Sequence, residues 1–194
     1  MSKPLLLSAF ALLVLLNLGY ASKAPELTKT NRSEIEPRLS KAESLIIREV
    51  IAKRENQLDE AIAYLEENLG EDSSAALDFV LGSMFYQSNR LTRSSQSYAQ
   101  AIKKFPSFLR AHKNLGLVNL SLGNWQLATD HFARAISLGD NDGSTFIKLG
   151  YCHLSLGRLV SAENAFRKGL LLLPESRDAL NGNIRAGTAQ IKKM

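Results

Sequence analysis

Residues 115–135 read LGLVNLSLGNWQLATDHFARA, and the same frame returns 34 positions later as LGYCHLSLGRLVSAENAFRKG (149–169) and 34 positions earlier as LGSMFYQSNRLTRSSQSYAQA (81–101). A fixed step of this size marks an array of stacked supersecondary units rather than a closed globule around one active site. The step fixes whole columns. Leu81-Gly82, Leu115-Gly116 and Leu149-Gly150 open each frame. Leu91, Trp125 and Leu159 share a column, as do Ser94, Ala128 and Ala162. Tyr98, Phe132 and Phe166 share the next, then Ala101, Ala135 and Gly169, and Pro106, Asp140 and Pro174 close the units.

Within each unit the apolar residues recur at helical spacing in two runs, for example Leu115, Val118 and Leu120, then Leu127, Phe132 and Ile136. Gly123-Asn124 and Gly157-Arg158 break the runs at the same place, so each unit reads as helix, tight turn, helix. A glycine inside a helix costs about 1 kcal/mol against alanine. Gly82, Gly116 and Gly150 therefore need a packing reason, and close approach of the partner helix supplies one. Ala128 and Ala162 are expected to face that contact, with Phe132 and Phe166 as plugs behind it. Helices this short are marginal alone, so the shared apolar seam between neighbours must stabilise them.

The segment before the repeats is an address. Lys3 gives a positive start, Leu5 to Leu16 are apolar apart from Ser8, and Gly19-Tyr20-Ala21 supplies small residues ahead of Ser22-Lys23. That is the layout of a secretory signal peptide over 1–21, cleaved after Ala21. The expected location is periplasmic or secreted. The alternative is a retained inner-membrane anchor, although the apolar core is shorter than the roughly 20 residues a spanning helix needs. Residues 22–39, with Pro25 and Pro37, read as a flexible linker.

Composition bounds the rest. The chain has 194 residues, of which 45% are hydrophobic and 22% charged, which fits a folded protein. The net charge of +5 is unevenly spread: residues 34–78 carry −7 and residues 79–139 carry +6. This reads either as a solvated surface or as a basic face for an anionic partner. One cysteine, Cys152, excludes an internal disulfide framework and falls in a column with Val118 and Met84, so it reads as a buried apolar residue.

The columns resemble the tetratricopeptide repeat: Leu-Gly, aromatic, small, aromatic, Ala, Pro. The resemblance is close at 75–108, 109–142 and 143–176, with Ser94 in place of the small Ala and Asp140 in place of Pro. Residues 40–74 resemble a degenerate first repeat, in which Ala61, Leu65 and Asn68 follow the second-helix pattern and Ile47-Arg48 stands where Leu-Gly belongs. Ser40 with Glu43 reads as its capping box. Residues 177–194, carrying Leu180, Ile184 and Ile191, read as a capping helix. The fold this implies is all-α, a right-handed superhelical solenoid of helix-turn-helix repeats closed by that helix. More narrowly, the stretches from Phe105 to Leu117 and from Leu138 to Ser144, with Leu149-Gly150-Tyr151 and Ser161-Ala162-Glu163, resemble exported bacterial proteins that accompany TonB–ExbB–ExbD energy-transducing systems.

Motifs of chemistry are not found. There is no Gly-x-Ser-x-Gly, His-Glu-x-x-His or phosphate loop. His112, His131 and His153 are not at metal-ligand spacing. Gly139-Asp140-Asn141-Asp142-Gly143 lacks the alternating ligands and final glutamate of a calcium loop and reads as a turn. No enzyme activity, cofactor or metal is expected, and export argues against nucleic acid despite a sequence pI near 9.4.

What the resemblance implies instead is a groove lined by the first helix of each unit, taking a peptide segment or partner helix. Projected onto this chain, it is lined by Phe79, Ser83, Tyr86 and Gln87; by Arg110, Lys113, Leu117 and Leu120; by Ser144, Ile147, Tyr151 and Leu154; and by Asp178, Asn181 and Arg185. Leu117 and Ile147 serve equally well as packing between units. Aliphatic and aromatic anchors beside Arg110 and Lys113 suit a protein partner with apolar residues and some negative charge. Leu117 stands where a carboxylate-clamping repeat needs Asn, which excludes that subtype. The expected function is a non-enzymatic adaptor of a TonB-type system. The alternatives are a scaffold for cell-envelope assembly, such as polysaccharide export or outer-membrane or pilus biogenesis, and an accessory subunit that presents substrate to an envelope enzyme. Sequence leaves the partner and the oligomeric state open.

Overall fold

The computed structural model describes residues 58–68 and 73–192, together with Glu43, Ser44 and Ile47. The expected leader of residues 1–21, the linker of 22–39, Ser40 and Arg48 lie outside them. The regular elements among the described residues are α-helical: α1 Leu58–Asn68, α2 Ala75–Gln87, α3 Leu91–Lys104, α4 Leu109–Ser121, α5 Trp125–Ser137, α6 Gly143–Ser155, α7 Leu159–Leu172 and α8 Arg177–Ile191. The fold is an all-α helical repeat. It divides into two compact units, one ending at Phe108 and one beginning at Leu109.

In the first unit α2 is buried nearly all round, from Ala75 to Phe85, whereas α3 buries only Ser94, Tyr98 and Ala101. This follows from composition: AALDFVLGSMFY is apolar on every side, while LTRSSQSYAQAIKK is apolar on one. Ile47, Ala61, Ile62 and Leu65 cover one side of α2, meeting Leu77, Val80, Met84 and Phe85. The Ser74 side chain caps α2 by accepting from the Leu77 N–H at 3.2 Å, and the Ser74 N–H in turn donates to Glu43 Oε1 at 2.9 Å. Three ion pairs stitch the unit together: Arg90 with Asp59 at 2.8 Å, Lys104 with Asp78 at 2.7 Å, and Arg93 with Glu66. Bases from the positive stretch are thus met by acids of the negative one. This uneven charge is partly spent inside the unit; the exposed pairs Arg90–Asp59 and Arg93–Glu66 are worth only ~0–1 kcal/mol each, whereas Asp78 of the third pair is buried.

In the second unit α4 packs on α5, α5 on α6, α6 on α7, and α8 on both α7 and α6. The turn inside each helix pair uses a left-handed residue at one repeated position. Gly123 has φ +76° and Gly157 +70°, and in the first unit Asn89 takes φ +57° at the equivalent place. Asparagine is among the few side chains that tolerate this region, so Asn89 closes the same turn without glycine.

The Leu-Gly glycines do mark close approach, but the packing differs from the expected one. The aromatic ring itself lies on the glycine. A Cβ at Gly82 would stand 2.7 Å from the Tyr98 ring, at Gly116 2.8 Å from Phe132, and at Gly150 2.8 Å from Phe166. The alanines of the small column, Ala128 and Ala162, are fully buried beside these seats, and the nearest atoms to the glycine belong to the ring.

A second correction concerns α8. Leu180, Ile184 and Ile191 are 50%, 56% and 75% exposed, while Ala179, Gly182 and Ala186 face inward. Gly182 lies against the same Phe166 ring, where a Cβ has no room. A ring already held on Gly150 admits only small residues from the next helix, which turns the large ones outward.

Candidate functional site

Each projected groove residue has a definite place. In the first unit Phe79 is core, not groove. It is 2% exposed, its ring 5.0 Å from Phe108 and 5.5 Å from Tyr98 by centroids. Ser83 is likewise buried, and its hydroxyl donates to the Phe79 carbonyl at 3.0 Å. Tyr86 and Gln87 are exposed at the end of α2.

In the second unit Ile147 is also core. It is 8% exposed, packs with Ala162, Phe166, Ala179 and Ala186, and occupies the space a side chain at Gly169 would need. Leu117 and Leu120 are half-buried against Ala128, Phe132 and Cys152, and Leu154 is half-buried against the Phe166 cluster. Both leucines of α4 therefore serve packing first. Arg110 is half-buried, and Asp178, Asn181 and Arg185 are exposed on α8.

Two contacts tie the first helices of this unit side by side. Lys113 Nζ, on α4, reaches Asp142 Oδ2 at 2.7 Å and Asp140 Oδ1 at 3.5 Å, just ahead of α6. The Tyr151 hydroxyl, on α6, donates to the Asp178 carbonyl at 3.1 Å, at the start of α8. The Tyr151 ring stands edge-on to Phe166, centroids 5.0 Å apart. The result is a strip across α4, α6 and α8 carrying Lys113, Ser144, Lys148, Tyr151, Asn181 and Arg185.

Local hydrogen bonds hold the aspartates in this arrangement. Asp142 caps α6, its Oδ1 accepting from the Ser144 N–H at 2.9 Å and its Oδ2 from the Ser144 hydroxyl at 2.9 Å. Asp140 Oδ2 accepts from the Thr145 hydroxyl at 2.7 Å. Burial works to raise the Asp142 carboxyl, but the bonds from Lys113 and Ser144 outweigh it and hold the pKa down at about 2. The loop is thus the expected inter-repeat turn. Among the described residues no group of three His, Cys, Asp or Glu is placed to hold a metal ion.

The charge reading changes with this contact. Lys113 is engaged by two carboxylates of its own chain and is not a waiting anchor for an acidic partner. Lys148, absent from the projection, lies beside it. Burial, opposed by Asp142 and joined by the Lys113 charge, lowers its pKa, and its hydrogen bond is a 3.4 Å contact to the Ser144 carbonyl one turn back. Burial likewise raises the Tyr151 phenol, with Asp178 adding to the shift and Arg185 opposing it.

Sequence reasoning missed a histidine pair. His112 of α4 and His131 of α5 face each other with Nδ1 to Nδ1 at 3.3 Å and ring centroids 5.5 Å apart. They are 19 residues apart, and no motif spacing links them; only the helix-pair geometry does. Cys152 is buried as expected, and burial pushes its thiol up to about 11.

Comparison with known proteins agrees with the fold. Residues 85–143 match the tetratricopeptide repeat family. Two curated relatives are peroxisomal targeting signal receptors. The one from Candida glabrata is 35% identical over 63 residues and the one from Eremothecium gossypii 33%; each match covers 32% of this chain and only 11% of the relative. Among solved structures, a MamA RS-1 variant superposes with a TM-score of 0.68 at 18% identity, covering 80% of this chain and 86% of that one. The first tetratricopeptide domain of Spaghetti (RPAP3), bound to the HSP90 peptide SRMEEVD, gives 0.57 at 16% identity, covering 61% and 94%. The match gives residues 85–143 the tetratricopeptide repeat pattern, and these neighbours share the helical-repeat fold. At these identities the solved structures speak for the fold alone.

Proposed function

We propose that this chain is a non-enzymatic, exported interaction scaffold that takes an extended peptide or a partner helix across the first helices of its second unit. The observation that carries the reading is the strip held by Lys113–Asp142 and Tyr151–Asp178, which sets α4, α6 and α8 side by side with polar and aromatic groups on one face. A related fold in the Spaghetti structure is bound to a peptide, which supports peptide capture as the mode. The charge within the strip is balanced, Lys113 and Lys148 against Asp140 and Asp142. The partner therefore engages Tyr151, Asn181 and Arg185 through shape and hydrogen bonds more than through net negative charge.

The exported setting rests on the charged start, short apolar core and small-residue site of residues 1–21. The association with a TonB-type energy-transducing system rests on the resemblance of residues 105–117 and 138–144 to that group of exported proteins. A photocrosslinking residue at Asn181 tests the reading in living cells, with one at Leu127, an exposed second-helix position, as control. The expected result is one discrete adduct from Asn181, none from Leu127, loss of the adduct with Arg185→Glu, and a mature N-terminus at Ser22. Equal labelling from both sites, or an adduct indifferent to Arg185→Glu, discards the face.

A further inference from the structure

The His112–His131 contact is a bond that the pair can make while at least one ring is neutral and cannot make when both are charged. A neutral imidazole has one N–H and one bare nitrogen, and a charged one has two N–H groups. With the two Nδ1 atoms 3.3 Å apart, one must donate and the other accept, so there is room for one proton between them. When both rings are charged, two N–H groups meet head-on and two positive rings are in contact. The rings are tilted by 38°, His112 is buried and His131 half-buried, so water can do little to screen the repulsion.

We infer that His112 and His131 form a proton-sharing pair that makes the α4–α5 repeat sensitive to pH, clasped while at least one ring is neutral and loosened when both are charged.

On the His131 side the opposing charge is a single exposed carboxylate. The groups that bear on His131 are His112, from α4, and Asp130, its neighbour on α5; burial and His112 lower its pKa and Asp130 opposes them. Asp130 is exposed and already accepts from Gln126 Nε2 at 2.8 Å. From the rest of α4 the charged groups are Arg110 and Lys113, the latter turned to Asp142 and Asp140. Arg134 follows on α5. The other helix packed on α5 is α6, which brings Lys148, Cys152 and His153; none contributes to the His131 shift.

The sign follows. A folded-state pKa below the ordinary value of about 6.5 means the unfolded chain takes the proton first. Stability is therefore full above about pH 6.5 and is lost as pH falls from there through the lower folded value. The loss is local, because the pair joins only α4 to α5. Since α4 also carries Lys113 and Leu117, acidification would disturb the proposed binding face as well, a consequence that rests on the reading above.

Hydrogen exchange on the full repeat region tests the pair without any partner. Between about pH 7.5 and pH 5.0, after correction for intrinsic exchange, α4 and α5 amides should lose protection. The α2–α3 amides should not. His131→Asn, which offers an amide in place of the ring nitrogen at a half-exposed site, should flatten the difference, and His112→Asn is the reciprocal check. Nitrogen-detected titration of the unmodified protein should show one ring taking its proton below the ordinary histidine value. Two rings titrating independently near the ordinary value, or an unchanged pH response in His131→Asn, would overturn the pair.

Discussion

The repeat at 75–108 and the two that follow seat the same ring on the same glycine, but with different chemistry. In the first, a hydroxyl frames the ring on each side. With the Ser83 proton committed to the Phe79 carbonyl, the Tyr98 hydroxyl meets Ser83 Oγ at 2.9 Å, and Ser94 Oγ donates to the Gly82 carbonyl at 2.7 Å. In the later two, Phe132 and Phe166 lie on Gly116 and Gly150 beside Ala128 and Ala162, with apolar contact alone. The lesson is that the repeat requires a flat ring over a missing side chain. Whether hydroxyls or methyls complete the seat is free to vary, provided each buried hydroxyl finds a bond.

The largest effect should come from removing a ring that serves two glycines. Phe166 is fully buried between Gly150 and Gly182 and meets Tyr151 edge-on. Phe166→Ala should cost about 3–5 kcal/mol in urea unfolding, since α7 loses its hold on both α6 and α8. A loss below about 1 kcal/mol would show that α8 collapses into the gap, and would remove the ring from its central place in the comparison.

Filling the glycine is the next test. A Cβ at Gly82 or Gly116 comes within 2.8 Å of the ring, so the ring must move. Overpacking costs about 1–3 kcal/mol, and the better helix propensity of alanine returns about 1 kcal/mol. Phe132 can slide, whereas Tyr98 is also held through its hydroxyl to Ser83. Gly82→Ala should therefore destabilise more than Gly116→Ala, by about 1 kcal/mol, the worth of a typical buried hydrogen bond. Thermal unfolding of the two variants checks the order; the reverse order would mean the hydroxyl gives the ring no added hold.

This contrast also marks what the sequence could tell. The repeat was legible because one 34-residue step aligns glycine, aromatic and small residue three times, and backbone geometry then follows from local spacing. The site was much less so. Phe79 and Ile147 lie in groove columns, yet the rings at 98 and 108 and the bare Gly169 draw them into the core. Lys113 looked like an anchor for an acidic partner because a long cation has no place in a core. Its carboxylates come from a turn 27 and 29 residues on, a pairing that no column predicts. The outward turn of Leu180 and Ile184 has the same origin: the Phe166 ring, whose contact with α8 is unseen in sequence, leaves no room for a Cβ at Gly182.

The smallest effect isolates the hydroxyl that looked like a departure from the pattern. Ser94 stands where Ala128 and Ala162 stand, and its hydroxyl bonds a carbonyl that already lies inside the α2 helix. Ser94→Ala removes one bond worth about 0.5–1.5 kcal/mol but leaves no buried donor without a partner. Alanine also suits a helix better than serine by up to about 0.5 kcal/mol. The two terms oppose, and the net cost should be near 0.5 kcal/mol by urea unfolding. A cost above about 2 kcal/mol would mean that the hydroxyl fixes how α3 lies on α2, and that the first repeat is built on a polar contact the later two do not share.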